Sequence, residues 1–181
     1  MSGEMKPDMS CVPYRRKGVY LVLTVPLVLL LISVAVYLGT VRFILAVVFV
    51  ALYVGMCYFQ AYCCAYQECP YVDGFCPAIV GIVPAGRLAR WLYGRRRVVK
   101  SKAAFETQAA LAFGCWMGLV FFPLWWIAKR SVPLAVGYVV LHAVYYVIFG
   151  LTICPACAIR GTCPGGKLQS IVLGGPEQRS R

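Results

Sequence analysis

The sequence contains no asparagine, only one histidine (His142) and only six acidic residues. Without asparagine there is no Asn-X-Ser/Thr acceptor, which excludes N-glycosylation. Asparagine is also thermolabile, so its absence leans toward a heat-adapted source. A single histidine excludes an H-E-x-x-H zinc motif. No Ser-His-Asp set, no pair of catalytic carboxylates and no Met-rich stripe for copper is present. Charge of either sign is scarce: 13% of the 181 residues are charged, against about 25% in soluble domains.

Apolar residues fill that space. They make up 61% of the chain, and the mean hydropathy is +0.76. A spanning helix needs about 20 mostly apolar residues to cross roughly 30 Å. Four segments qualify, at about 18–39, 41–65, 103–128 and 133–154. None carries Asp, Glu, Lys or Arg in its middle; Arg42 and Glu106 sit at segment ends. The first segment is too long for a signal-peptide core and no small-residue cleavage site follows it. The chain divides into an N-terminal tail (1–17), a membrane domain (18–154) with an inner loop (66–102), and a cysteine- and glycine-rich tail (155–181). The expected fold is all-α: a polytopic membrane protein built as an antiparallel four-transmembrane-helix bundle with cysteine-rich cytoplasmic loops.

Orientation follows from the bases. Fifteen of the 18 Lys and Arg fall in the N-terminal tail, the inner loop and the C-terminal tail; only Arg42, Lys129 and Arg130 fall in the two opposite turns. The positive-inside rule places both termini in the cytoplasm of a multi-pass cell-membrane protein. In the inner loop, Leu88, Trp91 and Leu92 recur at helical spacing, interleaved with Arg87, Arg90 and Arg95 to Arg97. That pattern fits an interfacial helix, with the stretch Arg87–Lys102 meeting anionic lipid headgroups. The same charge on a membrane-tethered helix argues against nucleic acid as a partner.

Ten cysteines are present, and nine fall on or near the basic side. Along the helical rise from Val41, Cys57 lies about 24 Å in, and Cys63 and Cys64 about 33 Å; Cys154 lies about 31 Å from Pro133. Cys11, Cys69, Cys76, Cys157 and Cys163 lie in segments on that same face. Two segments repeat a pattern: Cys69-Pro70 precedes Gly74-Phe75-Cys76-Pro77, and Cys154-Pro155 precedes Gly161-Thr162-Cys163-Pro164. Pro155 removes a helical N–H and is expected to break the fourth helix.

Three chemistries use such a pattern. Thiolates bind zinc or iron–sulfur clusters. The candidate ligands are Cys69, Cys76, Cys154, Cys157 and Cys163, with Cys57, Cys63 and Cys64 as further candidates. The C-x2-C-x5-C-P run approaches, without matching, the C-x2-C-x2-C-x3-C-P run of ferredoxins. Such a protein serves as an electron-transfer or structural subunit beside a larger membrane or redox complex. Thiol–disulfide exchange is the second chemistry, with Cys154 and Cys157 as the catalytic pair. Membrane thiol oxidoreductases of the vitamin K epoxide reductase kind share the helix count and a C-x-x-C, and the likeness ends there. A non-catalytic scaffold with disulfide-stapled loops is the third reading; Cys11 and Cys115 are expected to be plain buried thiols.

His142 falls near the middle of the fourth segment, where an ionisable residue is a candidate quinone or proton contact. Gly161 to Lys167 fits G-x4-G-K, but Leu168 stands where a phosphate loop needs Ser or Thr. The spans lack a line of polar residues, which argues against a metal permease.

Overall fold

Helix α1, Lys17–Val41, runs 25 residues, about 37 Å at the helical rise. Pro26 lies within it without interrupting it. Its buried positions are Tyr20, Thr24, Leu27, Leu31, Val34 and Leu38. The steps alternate four and three, the seam of a helix packed lengthwise against neighbours. The computed structural model describes residues 17–67, 69, 85–93, 101–157, 163, 166 and 171, and these contain helices and no strand.

One residue, Arg42, separates α1 from helix α2, Phe43–Tyr66. Arg42 is extended, and its backbone serves both helices: its N–H donates to the Leu38 carbonyl and its carbonyl accepts from Leu45, each at 2.9 Å. Close to this turn the two helices approach at Gly39, where an added Cβ would stand 3.6 Å from Ala46. Helix α3, Ala85–Tyr93, is short and amphipathic and packs on α2.

Helix α4, Lys102–Phe121, starts at Ser101, whose hydroxyl accepts from the Ala104 N–H at 3.4 Å. This is an N-cap that satisfies one of the open donors of the first turn. The third apolar segment is broken into two helices. Phe122 and Pro123 form a turn, and helix α5, Leu124–Arg130, continues beyond it. Pro123 has no N–H, so the Leu119 carbonyl four residues back loses its helical donor. The Tyr138 hydroxyl, from helix α6 (Val132–Thr152), donates to that carbonyl at 2.8 Å. A backbone break at membrane depth is thus repaired by a side chain of the next helix, as lipid requires.

Four stretches are long and apolar enough to cross a membrane: α1, α2, the α4–α5 pair (Lys102–Arg130) and α6. Large apolar side chains point outward on all of them, among them Val22, Phe43, Val54, Phe121 and Leu134. Between such helices lipid supplies no hydrophobic drive, so packing and interhelical hydrogen bonds hold them. α2 and α4 meet where small residues allow it: a Cβ at Gly118 would stand 3.1 Å from Leu52 Cδ1, and one at Gly55 would stand 3.4 Å from Cys115 Sγ. Polar ties add to this. Trp116 Nε1 donates to the Tyr146 hydroxyl, joining α4 to α6. The Tyr37 hydroxyl donates to the Trp126 carbonyl at 3.1 Å, joining α1 to α5.

Candidate functional site

The last three turns of α2 carry three of the candidate cysteines. Cys57 is 5% exposed and belongs to the bundle core, with the Tyr53 hydroxyl against its thiol. Cys63 and Cys64 are half-buried near the helix end. The chain then folds back on itself: Gln67 N–H donates to the Cys63 carbonyl and Cys69 N–H to the Cys64 carbonyl, both at 3.1 Å. This turn buries Cys69 in the same core cluster as Cys57.

The second cysteine segment starts where α6 stops. The helix ends at Thr152, Ile153 is buried at its cap, and Cys154–Ala156 form a single 3-10 turn closed by the Cys157 N–H on the Cys154 carbonyl at 3.1 Å. Pro155 lies inside this turn, which accounts for the helix stopping two residues short of the predicted 154. Cys154 and Cys157 pack against the core cluster, and Cys154 lies within electrostatic reach of Tyr145. Farther along, Cys163 comes close enough to Cys63 to interact with it electrostatically. The end of α2 and Cys163 therefore lie within electrostatic range of each other, although they are 100 positions apart in the chain.

Among the described residues, no three His, Cys, Asp or Glu side chains converge as a metal-binding group. Cys76 and Cys11 lie outside the described residues, as do Arg95 to Lys100 of the predicted basic stretch. Cys57, Cys63, Cys115 and Cys163 are free thiols. Cys115 is half-buried on α4 and faces Gly55 of α2.

His142 is 3% exposed and occupies a seam position of α6. Its Nδ1 lies 2.9 Å from the Tyr138 carbonyl. A carbonyl only accepts, so Nδ1 carries a proton. The Tyr138 ring lies 4.3 Å away and the Tyr146 ring 6.2 Å. Around it runs a set of polar-tipped aromatics that sequence reading did not single out: Tyr138, Tyr145, Tyr146 and, from α4, Trp116. Their signal was available, because a tyrosine or tryptophan at hydrocarbon depth needs a partner for its polar atom. Tyr138 and Tyr146 have one; the Tyr145 hydroxyl is buried beside Thr24 without a bond of normal geometry to it.

The amphipathic helix α3 is more than a surface float. Gly86 and Ala89 are buried toward α2, while Arg87 and Arg90 are exposed and Trp91 is 80% exposed on the other side. Tyr93 packs edge-on to Tyr62 at 5.8 Å. Burial, followed by its hydrogen bond with Tyr58 and the nearby Tyr62 and Cys63, pushes the Tyr93 phenol up to about 12. A phenol raised on folding stabilises the docked state below its unfolded pKa near 10, and that contribution is lost as pH rises through about 12. The expected outcome is that the docking of α3 holds to pH 10 and weakens between pH 10 and 12. A tyrosinate titration in detergent, followed with Trp91 fluorescence, checks this; Tyr93→Phe should abolish the Tyr93 step.

Comparison with protein-family models, with curated proteins and with solved structures finds no match to this chain. The class is therefore defined by the chain's own architecture: a multi-pass membrane protein with four candidate spanning helices.

Proposed function

We propose that the chain is an antiparallel four-helix protein of the cell membrane with both termini cytoplasmic, whose cysteine-rich segments hold a thiolate-bound centre at the cytoplasmic face. The centre is zinc or an iron–sulfur cluster, and the protein acts as a structural or electron-transfer subunit beside a larger partner. The observation that carries this reading is that Cys63 and Cys163 lie within electrostatic range of each other, two free thiols from separate segments. A thiolate centre needs up to four ligands, and Cys64, Cys69, Cys76, Cys154 and Cys157 are the donors available to complete it. The outward face of α3, with Arg87 and Trp91, would rest on anionic headgroups.

Thiol exchange by Cys154 and Cys157 is the weaker reading. Reactive thiolates of such pairs are stabilised at helix N-termini. Cys154 instead follows the C-terminus of α6, where the helix dipole disfavours negative charge. A bound cation offsets that penalty, whereas an exposed thiolate does not.

The test is anaerobic purification in detergent with elemental analysis, a visible spectrum and thiol titration on one sample. The expected result is stoichiometric zinc or iron, lost in Cys63→Ser and in Cys163→Ser and retained in Cys115→Ser. A metal-free wild-type protein with every thiol titratable overturns the proposal. A mixed disulfide with a partner protein, trapped by Cys157→Ser, assigns thiol exchange instead.

A further inference from the structure

The seam between α1 and α6 does not close along its length. A groove of about 460 Å³ is lined by Leu30, Val34, Ile127, Gly137 and Leu141, with Arg130 at one end. A second hollow of about 200 Å³ continues from Leu30 and Leu141 past Pro26 and Val144. Together they extend along α6 from Pro133 to Ile148, about 22 Å of helix. The walls are almost wholly apolar. Gly137 lines the first groove, and a Cβ there would meet nothing within 4 Å.

Among the described residues, no carboxylate answers the charged end. The six acids are Glu4, Asp8, Glu68, Asp73, Glu106 and Glu177, so α1, α2, α5 and α6 contain none. Glu106, at the start of α4, pairs with Lys102 at 3.8 Å, at the opposite end of the third span from Arg130. The neighbouring cation is already placed, because Lys129 Nζ lies 4.8 Å over the Trp125 ring. The guanidinium of Arg130 matches a phosphate in two-pronged geometry. A second copy of this chain would bring apolar helices to the seam but no carboxylate to Arg130 from any of these four helices. A lipid brings both an apolar chain and an anion.

We infer that the α1–α6 seam binds an anionic phospholipid, with an acyl chain along the groove and the phosphate on Arg130. The phosphate end of the site lies at the end of the bundle opposite the cysteine segments, and the site rests only on the four helices spanning a membrane. Its success or failure is independent of any metal centre.

The experiment is native mass spectrometry of the full chain in detergent, titrated with phosphatidylglycerol and in parallel with phosphatidylcholine of the same acyl chains. Wild type is expected to retain one phosphatidylglycerol in preference to phosphatidylcholine. Arg130→Gln should weaken that adduct about tenfold, the scale of one charge-assisted hydrogen bond, while Lys129→Gln leaves it unchanged. Gly137→Leu, which fills the groove, should remove the adduct. Gly137→Ala, whose methyl enters open space, should keep both helicity and adduct, so a fold defect in the leucine variant is recognised. Equal effects of Arg130→Gln and Lys129→Gln would reduce the site to general surface charge and overturn the assignment. So would a wild-type dimer that Gly137→Leu converts to monomer, because a second copy would then cover the seam.

Discussion

Gly118→Leu is expected to unseat α4 from α2. A Cβ at position 118 already lies 3.1 and 3.2 Å from the two methyls of Leu52. Alanine needs Leu52 to give by a few tenths of an ångström, which a leucine end can do. Leucine adds three more carbons where no space remains. Overpacking costs typically about 1–3 kcal/mol in a well-packed core, and here it falls on the Leu52 side chain at the α2–α4 contact. Since lipid offers no hydrophobic drive to hold the pair together, lost close packing has little to offset it. The measurement is helicity against added SDS, with wild type, Gly118→Ala and Gly118→Leu side by side. The expected order is a small loss for alanine and a large one for leucine. Gly114→Leu on the same helix, where a Cβ meets nothing within 4 Å, should be near neutral.

The second large effect is expected at Tyr138. Phenylalanine there keeps the ring against His142 but removes the hydroxyl that donates to the Leu119 carbonyl. That carbonyl lacks a helical donor because Pro123 follows it by four residues, and it is buried in the bundle. An orphaned buried acceptor costs about 1–3 kcal/mol, although measured interhelical bonds in membranes average nearer 0.6. The diagnostic is a double-mutant cycle. Pro123→Ala restores an N–H that can serve Leu119, so Tyr138→Phe should cost much less in that background. Equal costs of Tyr138→Phe with proline and with alanine at 123 would mean that the hydroxyl does not repair the break.

These two sites mark where sequence reading stops. The four spans were legible because hydrocarbon thickness sets a length and charge is excluded from it. The break before Cys154 was legible from Pro155. Pro123 carried the same signal in the third segment, yet that segment reads as one continuous span because its hydropathy does not change across the turn. Which face of each helix is buried was not legible at all. Val22 is as apolar as Leu27, but one faces outward and the other inward, since lipid accepts both. Polar-tipped seam residues such as Tyr20, Thr24, Tyr138, His142 and Tyr145 were inward markers on their helices, and only His142 drew notice. The basic pattern of α3 was legible, whereas its docking through Gly86, Ala89 and Tyr93 depends on the surface of α2. The nearness of Cys63 to Cys163 is a product of topology, with no local signal in either segment.

The single residue between α1 and α2 has a consequence for biogenesis. Arg42 is the whole connector, and its N–H and C=O are both already hydrogen-bonded to the helices it joins. The second connector, Ser131, is as short, and its N–H donates to the Ile127 carbonyl while its carbonyl accepts from Ala135. A nascent chain built this way carries almost no unsatisfied peptide across the bilayer. With both termini cytoplasmic, as proposed above, each pair of helices would enter as a closed unit, with the arginine and lysine heads at the turns as its main polar cargo. Lengthening either connector with a few glycines and serines is therefore expected to slow insertion without altering the folded bundle, which timed protease protection during synthesis into membrane vesicles would register.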